Sequence, residues 1–167
     1  MKVHLRKWRK EDIELLTKLA DNKNIAANMS DRFPSPYTLK DAEEWILSNE
    51  NKNPALNFAI EADSELAGAC GMMLMKDVYR LSAEIGYWIA EPFWGRGIAT
   101  QSVKLLLENI RQNFPDIIRV FAKPFGHNKA SMKVLEKNGF YSESIRKKAV
   151  IKNNAVIDDC IYVKLLK

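Results

Sequence analysis

Residues 94–100 read Trp94-Gly95-Arg96-Gly97-Ile98-Ala99-Thr100, a glycine-spaced turn between an apolar run, Glu84 to Ala90, and an amphipathic run, Ile98 to Asn113. The order strand, tight turn, helix decides how the chain is read. Such a turn leaves several backbone N–H groups unpaired at the positive end of a helix dipole. Glycines at 95 and 97 allow close approach to the main chain, so the turn is expected to cradle a polyanion such as a pyrophosphate. Taken alone it reads equally well as a bare entry into an amphipathic helix.

The elements around the turn follow from periodicity. Upstream, Val3 to Lys7 reads as a strand, and Glu11 to Ala20 carries Ile13, Leu16 and Leu19 at helical spacing. Asn22 to Tyr37 is polar and broken by Pro34 and Pro36, which predicts a loop with at most a helical turn. Thr38 is a suitable N-cap for a helix to about Glu50. Leu56 to Ala62, Leu66 to Met75 and Leu81 to Ala90 read as a three-strand meander. Downstream, Ile98 to Arg111 buries Val103, Leu106, Leu107 and Ile110, and Asp116 to Ala122 returns as a strand. Asn128 to Asn138 is a compact helix closed by Gly139, and Phe140 to Ile151 and Val156 to Leu165 pair across Asn153-Asn154. The prediction is an α+β domain over 1–167. About seven mostly antiparallel strands form its sheet, with one parallel pair after residue 90 and about four flanking helices.

Composition narrows the class. A 167-residue chain that is 47% hydrophobic builds one core. Lys and Arg number 26 against 21 Asp and Glu, a charge of +5 that suits anionic ligands without demanding nucleic acid. Cys70 and Cys160 have no metal-ligand spacing and sit in apolar runs, as buried free thiols in a reducing compartment would. The basic N-terminal stretch is followed by no apolar segment, and no run approaches a membrane span. A soluble, cytoplasmic, single-domain protein without a metal is expected.

A second element lies downstream of the turn: Asn128-Lys129-Ala130-Ser131, running on to Gly139-Phe140. Together with Glu84-Ile85-Gly86-Tyr87-Trp88-Ile89 and Pro92 to Thr100, it makes the chain resemble the GNAT superfamily of acetyl-coenzyme A-dependent N-acetyltransferases. Within that superfamily it is most similar to the ribosomal-protein N-terminal acetyltransferase branch. The element order resembles the family over nearly the whole chain; the specific motifs span 84–140.

The resemblance assigns roles residue by residue. The family's pyrophosphate motif is Gln or Arg, two residues, Gly, one residue, then Gly or Ala. Gly97 and Ala99 match it, while Trp94 stands at the first position and is expected to contribute packing alone. The backbone of Gly95, Arg96, Gly97, Ile98, Ala99 and Thr100 would then hold the phosphates, with Arg96 adding a charged donor. By resemblance the strand carrying Trp88 and Ile89 is bulged and splays from its parallel neighbour. The pantetheine arm would lie in that slot, with a backbone N–H near Ile89 donating to the thioester carbonyl. Trp88 also reads as a core aromatic. Asn128 reads as a helix N-cap and, by resemblance, as a contact to the cofactor.

Two residues carry the catalytic expectation. In part of the superfamily a Tyr seven residues after this Asn assists the departing thiolate; here that place is Leu135. The ribosomal branch resembles this chain in having Ser three residues after the Asn. Ser131 is therefore the candidate general acid or hydrogen-bond donor to sulfur, set against plain back-bonding in a first helical turn. Glu84 is the candidate base, set against a solvated or ion-paired carboxylate. His4 and His127 read as surface histidines, and Lys129 and Lys133 as solvated lysines within reach of a 3′-phosphate.

The expected reaction is direct transfer of acetyl from acetyl-coenzyme A to a primary amine in a ternary complex. The branch resemblance points to a protein or peptide N-terminus as acceptor. Small amines (polyamines, amino acids, aminoglycosides) are the alternative, as is a non-catalytic acyl-coenzyme A-binding or ribosome-associated module. Asn22 to Tyr37, Met72 to Arg80 and the final hairpin are expected to shape the acceptor side, and homodimers are common in the superfamily.

Overall fold

A computed structural model describes the whole chain, Met1–Lys167. Seven strands form one sheet: β1 (Val3–Arg6), β2 (Asn57–Ala62), β3 (Glu65–Leu74), β4 (Ser82–Ile89), β5 (Arg119–Ala122), β6 (Tyr141–Lys152) and β7 (Ala155–Leu165). Their spatial order is β1-β2-β3-β4-β5-β7-β6, and only β4 and β5 run parallel. Five helices accompany them: α1 (Ile13–Ala20), α2 (Lys23–Ala26), α3 (Leu39–Asn49), α4 (Ile98–Asn113) and α5 (Lys129–Lys137). The fifth helix beyond the four expected is α2, a single turn inside the loop from Asn22 to Tyr37. Asn22 caps it by accepting from the N–H groups of Asn24 and Ile25.

Each face of the sheet is covered by what the periodicity of its helices dictates. On one face α4 and α5 bury Val103, Leu106, Leu107, Ile110, Met132 and Leu135 against alternate strand residues, Ala83, Ile85 and Ile89 among them. On the other, α1 and α3 bury Leu16, Ala42 and Ile46 against Leu66 and Ala69, with Trp8 and Tyr37 enclosed. Cys70 and Cys160 are buried free thiols.

The strand ends differ from the sequence expectation where pairing, and not propensity, sets the boundary. Asp116 to Ile118 lead into β5 as a turn, because strand geometry begins only at Arg119, opposite Ser82. The turn at Asp63-Ser64 and that at Asn153-Asn154 both place two successive residues at positive φ, the conformation that matches strand twist in tight hairpins.

Candidate active site

The slot is built by a mismatch in length between two parallel strands. β5 pairs with β4 only from Ser82↔Arg119 to Glu84↔Phe121, and then continues alongside β7. β4 runs on from Gly86 to Ile89 with β3 as its only neighbour. The Ala90 N–H donates to the Ala67 carbonyl at 2.8 Å, which fixes the phase of that antiparallel ladder. Hydrogen-bonded pairs alternate, so Trp88 and Gly86 point their amides at β3; on the other edge the Ile85 amide closes the ladder with β5 at Phe121, and those of Tyr87 and Ile89 point into the gap. The splay expected from the family resemblance is present. The bulge expected in β4 is not: its pairing with β3 is in continuous register, and the shift falls between β2 and β3, at Ile60/Glu61.

Gly68 explains how β4 keeps that course. A Cβ at Gly68 would lie 2.2 Å from the Trp88 carbonyl oxygen, so only glycine lets β3 approach β4 here.

At the mouth of the slot, the turn from Trp94 to Thr100 has the geometry of an anion cradle. Gly95 and Gly97 adopt φ of 76° and 75°, which L side chains rarely take, and open space lies beside both Cα atoms. Gly97 is the N-cap of α4 and provides no side-chain cap. The backbone N–H groups of six consecutive residues, Gly95 to Thr100, donate to no protein acceptor. Ile98 is buried and anchors the helix start, so the free donors are held in place. Arg96 extends over the Phe93 ring, 5.6 Å from its centroid. Trp94 departs from the expectation of packing alone. Half exposed, it donates its indole N–H to the Ile89 carbonyl at 2.6 Å, tying the cradle to the last residue of β4.

α5 brings Asn128 and Ser131 to the other wall. Asn128 caps the helix, its Oδ1 accepting the Ser131 N–H at 3.1 Å. The Ser131 hydroxyl is engaged with β4 and not with its own helix: Tyr87 Oη lies 2.8 Å from Ser131 Oγ and 3.1 Å from the Ser131 carbonyl. Burial pushes the Tyr87 phenol up to about 12, against a smaller opposing effect of the Ser131 hydrogen bond. Leu135, where part of the superfamily has a tyrosine, is sealed in the core. Strand alternation puts Tyr87 on the same side of β4 as Ala83, Ile85 and Ile89, the side that α4 and α5 cover. What the sequence lacked was the pairing of that position with the first turn of α5.

On the opposite face of β4, Glu84 and Trp88 flank an exposed Gly86, above which a Cβ would meet nothing within 4 Å. Glu84 is ion-paired with Lys123 at 2.9 Å, and both are partly exposed. Lys123 follows β5 and shares the parity of Arg119 and Phe121, which brings it to the Glu84 side. It was not singled out from the sequence, since a lysine after a short strand carries no local signal. Trp88 packs edge-on against Phe33 of the α2–α3 loop, their centroids 6.0 Å apart. That loop is fastened across the mouth: Asn28 Oδ1 lies 3.0 Å from His127 Nε2, and Asp31 pairs with Lys152 of β6 at 2.8 Å. His127 is thus a bridge between the loop and the entrance to α5. His4 lies on β1, across the sheet from these groups. Beside Ser82 and Phe121, Met75, Tyr79 and Arg119 complete a shallow pocket of about 270 Å³. Lys129 extends along Met132, and Lys133 is exposed on α5.

No helix of the protein is long and apolar enough to cross a membrane. Over residues 2–141 the sequence matches the model of the acetyltransferase (GNAT) domain. It is 30% identical over 109 residues to the ribosomal-protein-serine acetyltransferase of Escherichia coli, a match that covers 65% of this chain and 60% of that protein. YjcK of Bacillus subtilis, a probable N-acetyltransferase by name, is 33% identical over 128 residues, 74% of this chain and 70% of its own. Among solved structures, the microcin C7 self-immunity acetyltransferase MccE in complex with acetyl-CoA and AMP superimposes with a TM-score of 0.84 at 26% identity. It covers 99% of this chain and 93% of that one.

Proposed function

From the premise that the chain belongs to the GNAT acetyltransferase family, we propose that it moves the acetyl group of acetyl-CoA to the α-amine of a protein or peptide N-terminus by direct attack. The observation that carries the donor assignment is the run of six free N–H groups at the mouth of a splayed strand pair. A pyrophosphate fits that cradle: its anionic oxygens match the donors, and the glycines leave the room they need. Acetyl-CoA supplies an acyl group activated on a thiol leaving group.

The chain's own residues do the rest. Gly95 to Thr100 bind the phosphates through the main chain, while Trp94 keeps the turn against β4. The unpaired edge of β4 accepts an extended amide-bearing arm as a neighbouring strand would, and the Ile89 N–H faces into the gap. Asn128 holds the start of α5 so that Ser131 presents its hydroxyl at the slot wall. Glu84, beside the open space over Gly86, takes the proton released by the amine, and Lys123 accompanies that carboxylate. An α-amine with a pKa near 8 is already partly neutral at physiological pH, so a single carboxylate suffices for it better than for a lysine amine. Support for a protein acceptor comes from the similarity to the ribosomal-protein-serine acetyltransferase.

Titration calorimetry with acetyl-CoA tests the donor, and a thiol-release assay across N-terminal peptides, polyamines, amino acids and aminoglycosides tests the acceptor. Micromolar binding and turnover of peptides are expected. Absence of binding overturns the donor assignment, and turnover confined to small amines overturns the acceptor.

A further inference from the structure

Ser131 does not stand alone at the slot wall. Tyr87 reaches it from the strand opposite, with Oη 2.8 Å from the Ser131 hydroxyl and 3.1 Å from the Ser131 carbonyl. A phenol has one proton for these two acceptors, and the serine hydroxyl likewise has one. Two arrangements share the same heavy-atom positions. In the first, Tyr87 donates to the helix carbonyl and Ser131 donates to Tyr87, which turns the serine proton away from the slot. In the second, Tyr87 donates to Ser131 Oγ, and the serine proton is free for another acceptor.

We propose that Tyr87 is a positioning residue for acyl transfer, forming a donor chain that runs from its phenol through the Ser131 hydroxyl to the departing sulfur. The inference rests on the reading that Ser131 faces the thioester. As the amine nitrogen bonds to the acyl carbon, the C–S bond breaks and its electron pair leaves on sulfur. The amine's proton passes to Glu84 and then to water, and the thiolate takes its proton from water. Ser131 and Tyr87 keep theirs and supply hydrogen bonds alone. A negative charge on sulfur selects the second arrangement, because a charged acceptor outbids the neutral phenol oxygen for the serine proton, and the Tyr87 proton then turns to Ser131 Oγ. Burial, which holds the phenol up at about 12, keeps Tyr87 a donor throughout the neutral range. The tyrosine that part of the superfamily places on this helix has no counterpart here, since Leu135 is fully buried. A phenol reaches the same helix turn from β4.

The test is a double-mutant cycle of Tyr87→Phe, Ser131→Ala and the pair, read as kcat and as KM for acetyl-CoA. Tyr87→Phe keeps the ring and its packing. We expect it to lower kcat about tenfold, the scale of a hydrogen bond to a developing charge, with KM changed less than twofold. In the Ser131→Ala background the same substitution should change kcat less than twofold, whereas Ser131→Thr, which keeps a hydroxyl, should remain sensitive to it. Independent, multiplicative losses in the double mutant would overturn the donor chain, as would an unchanged kcat in Tyr87→Phe. A wild-type protein that binds acetyl-CoA but turns over no amine would overturn the proposed function itself, and this inference with it. Turnover with an additive cycle would remove only the inference.

Discussion

The indole N–H of Trp94 donates to the carbonyl oxygen of Ile89 at 2.6 Å, joining the first residue of the cradle to the last residue of β4. The bond fixes the angle between the six free N–H groups and the slot. Trp94→Phe keeps an aromatic ring and removes the bond. The expected result is about fivefold weaker acetyl-CoA binding by calorimetry, the scale of one ordinary hydrogen bond. Because the side chain is half exposed, the melting temperature should barely move.

Gly97 separates conformation from space. At φ 75° an L residue is strained by roughly 1–2 kcal/mol, while open space lies where a side chain would project. Gly97→Ala should lower thermal stability and weaken acetyl-CoA binding together. Asn tolerates the left-handed region better, so Gly97→Asn should recover much of the stability. It should not recover binding, because its side chain stands in the cradle. A single melting curve and titration for each variant decides the point.

Gly68 is a packing constraint transmitted to the slot. A methyl group there meets the Trp88 carbonyl at 2.2 Å, backbone against side chain with no flexible atom to yield. Gly68→Ala should cost about 1–3 kcal/mol in denaturant unfolding, as overpacking does. It should also lower kcat, since the displaced segment includes Ile89. Loss of stability with full turnover would show that β4 absorbs the shift elsewhere.

Glu84 and Gly86 separate chemistry from access. Glu84→Gln should lower kcat by about 10²-fold, the low end for loss of a general base, with acetyl-CoA affinity kept. Gly86→Val fills the open space between Glu84 and Trp88. It should raise KM for the acceptor while leaving KM for acetyl-CoA within twofold. Kinetics with both substrates varied separate the two outcomes.

Two buried tyrosines are expected to contribute to the alkaline limit of stability. Burial raises both Tyr37 and Tyr87 from 10 to about 12. The unfolded chain ionises first as pH rises, so their contribution is intact below about pH 10 and is lost as pH climbs toward 12. At about 1.4 kcal/mol per pKa unit, the loss for Tyr87 is at most roughly 3 kcal/mol. Tyrosinate absorbance and circular dichroism followed together over this window should show ionisation of these residues coinciding with unfolding.

The fold was legible wherever side-chain periodicity reports burial. All seven strands and the four long helices follow from alternation and from the stripes of Leu16, Ile46, Leu106 and Leu135. The glycine turn at 95 and 97 was legible as a strand-to-helix turn, but its reading as an anion cradle leaned on the Asn128–Ser131 element, since the spacing alone suits a bare helix entry equally well. Its tie to β4 was not, since nothing local tells an indole N–H which carbonyl it will find five residues back. The Tyr87–Ser131 contact and the Glu84–Lys123 pair join residues 44 and 39 positions apart. Such contacts depend on which strand ends beside which helix, and the short β5 settles that. The continuous register of β4 was hidden for the same reason: the irregularity is taken up one strand away, between β2 and β3.

The six free N–H groups belong to the main chain, which every residue type supplies alike. If these groups hold the donor as proposed, its recognition is insulated from most substitutions and rests on keeping glycine at two positions. On the proposed reading, the opposite face of β4 would meet the amine through Glu84, Trp88, Phe33 and the fastened loop, all of which are side-chain identities. A protein built this way can exchange one amine for another by surface substitution, without renegotiating how it holds the acetyl donor.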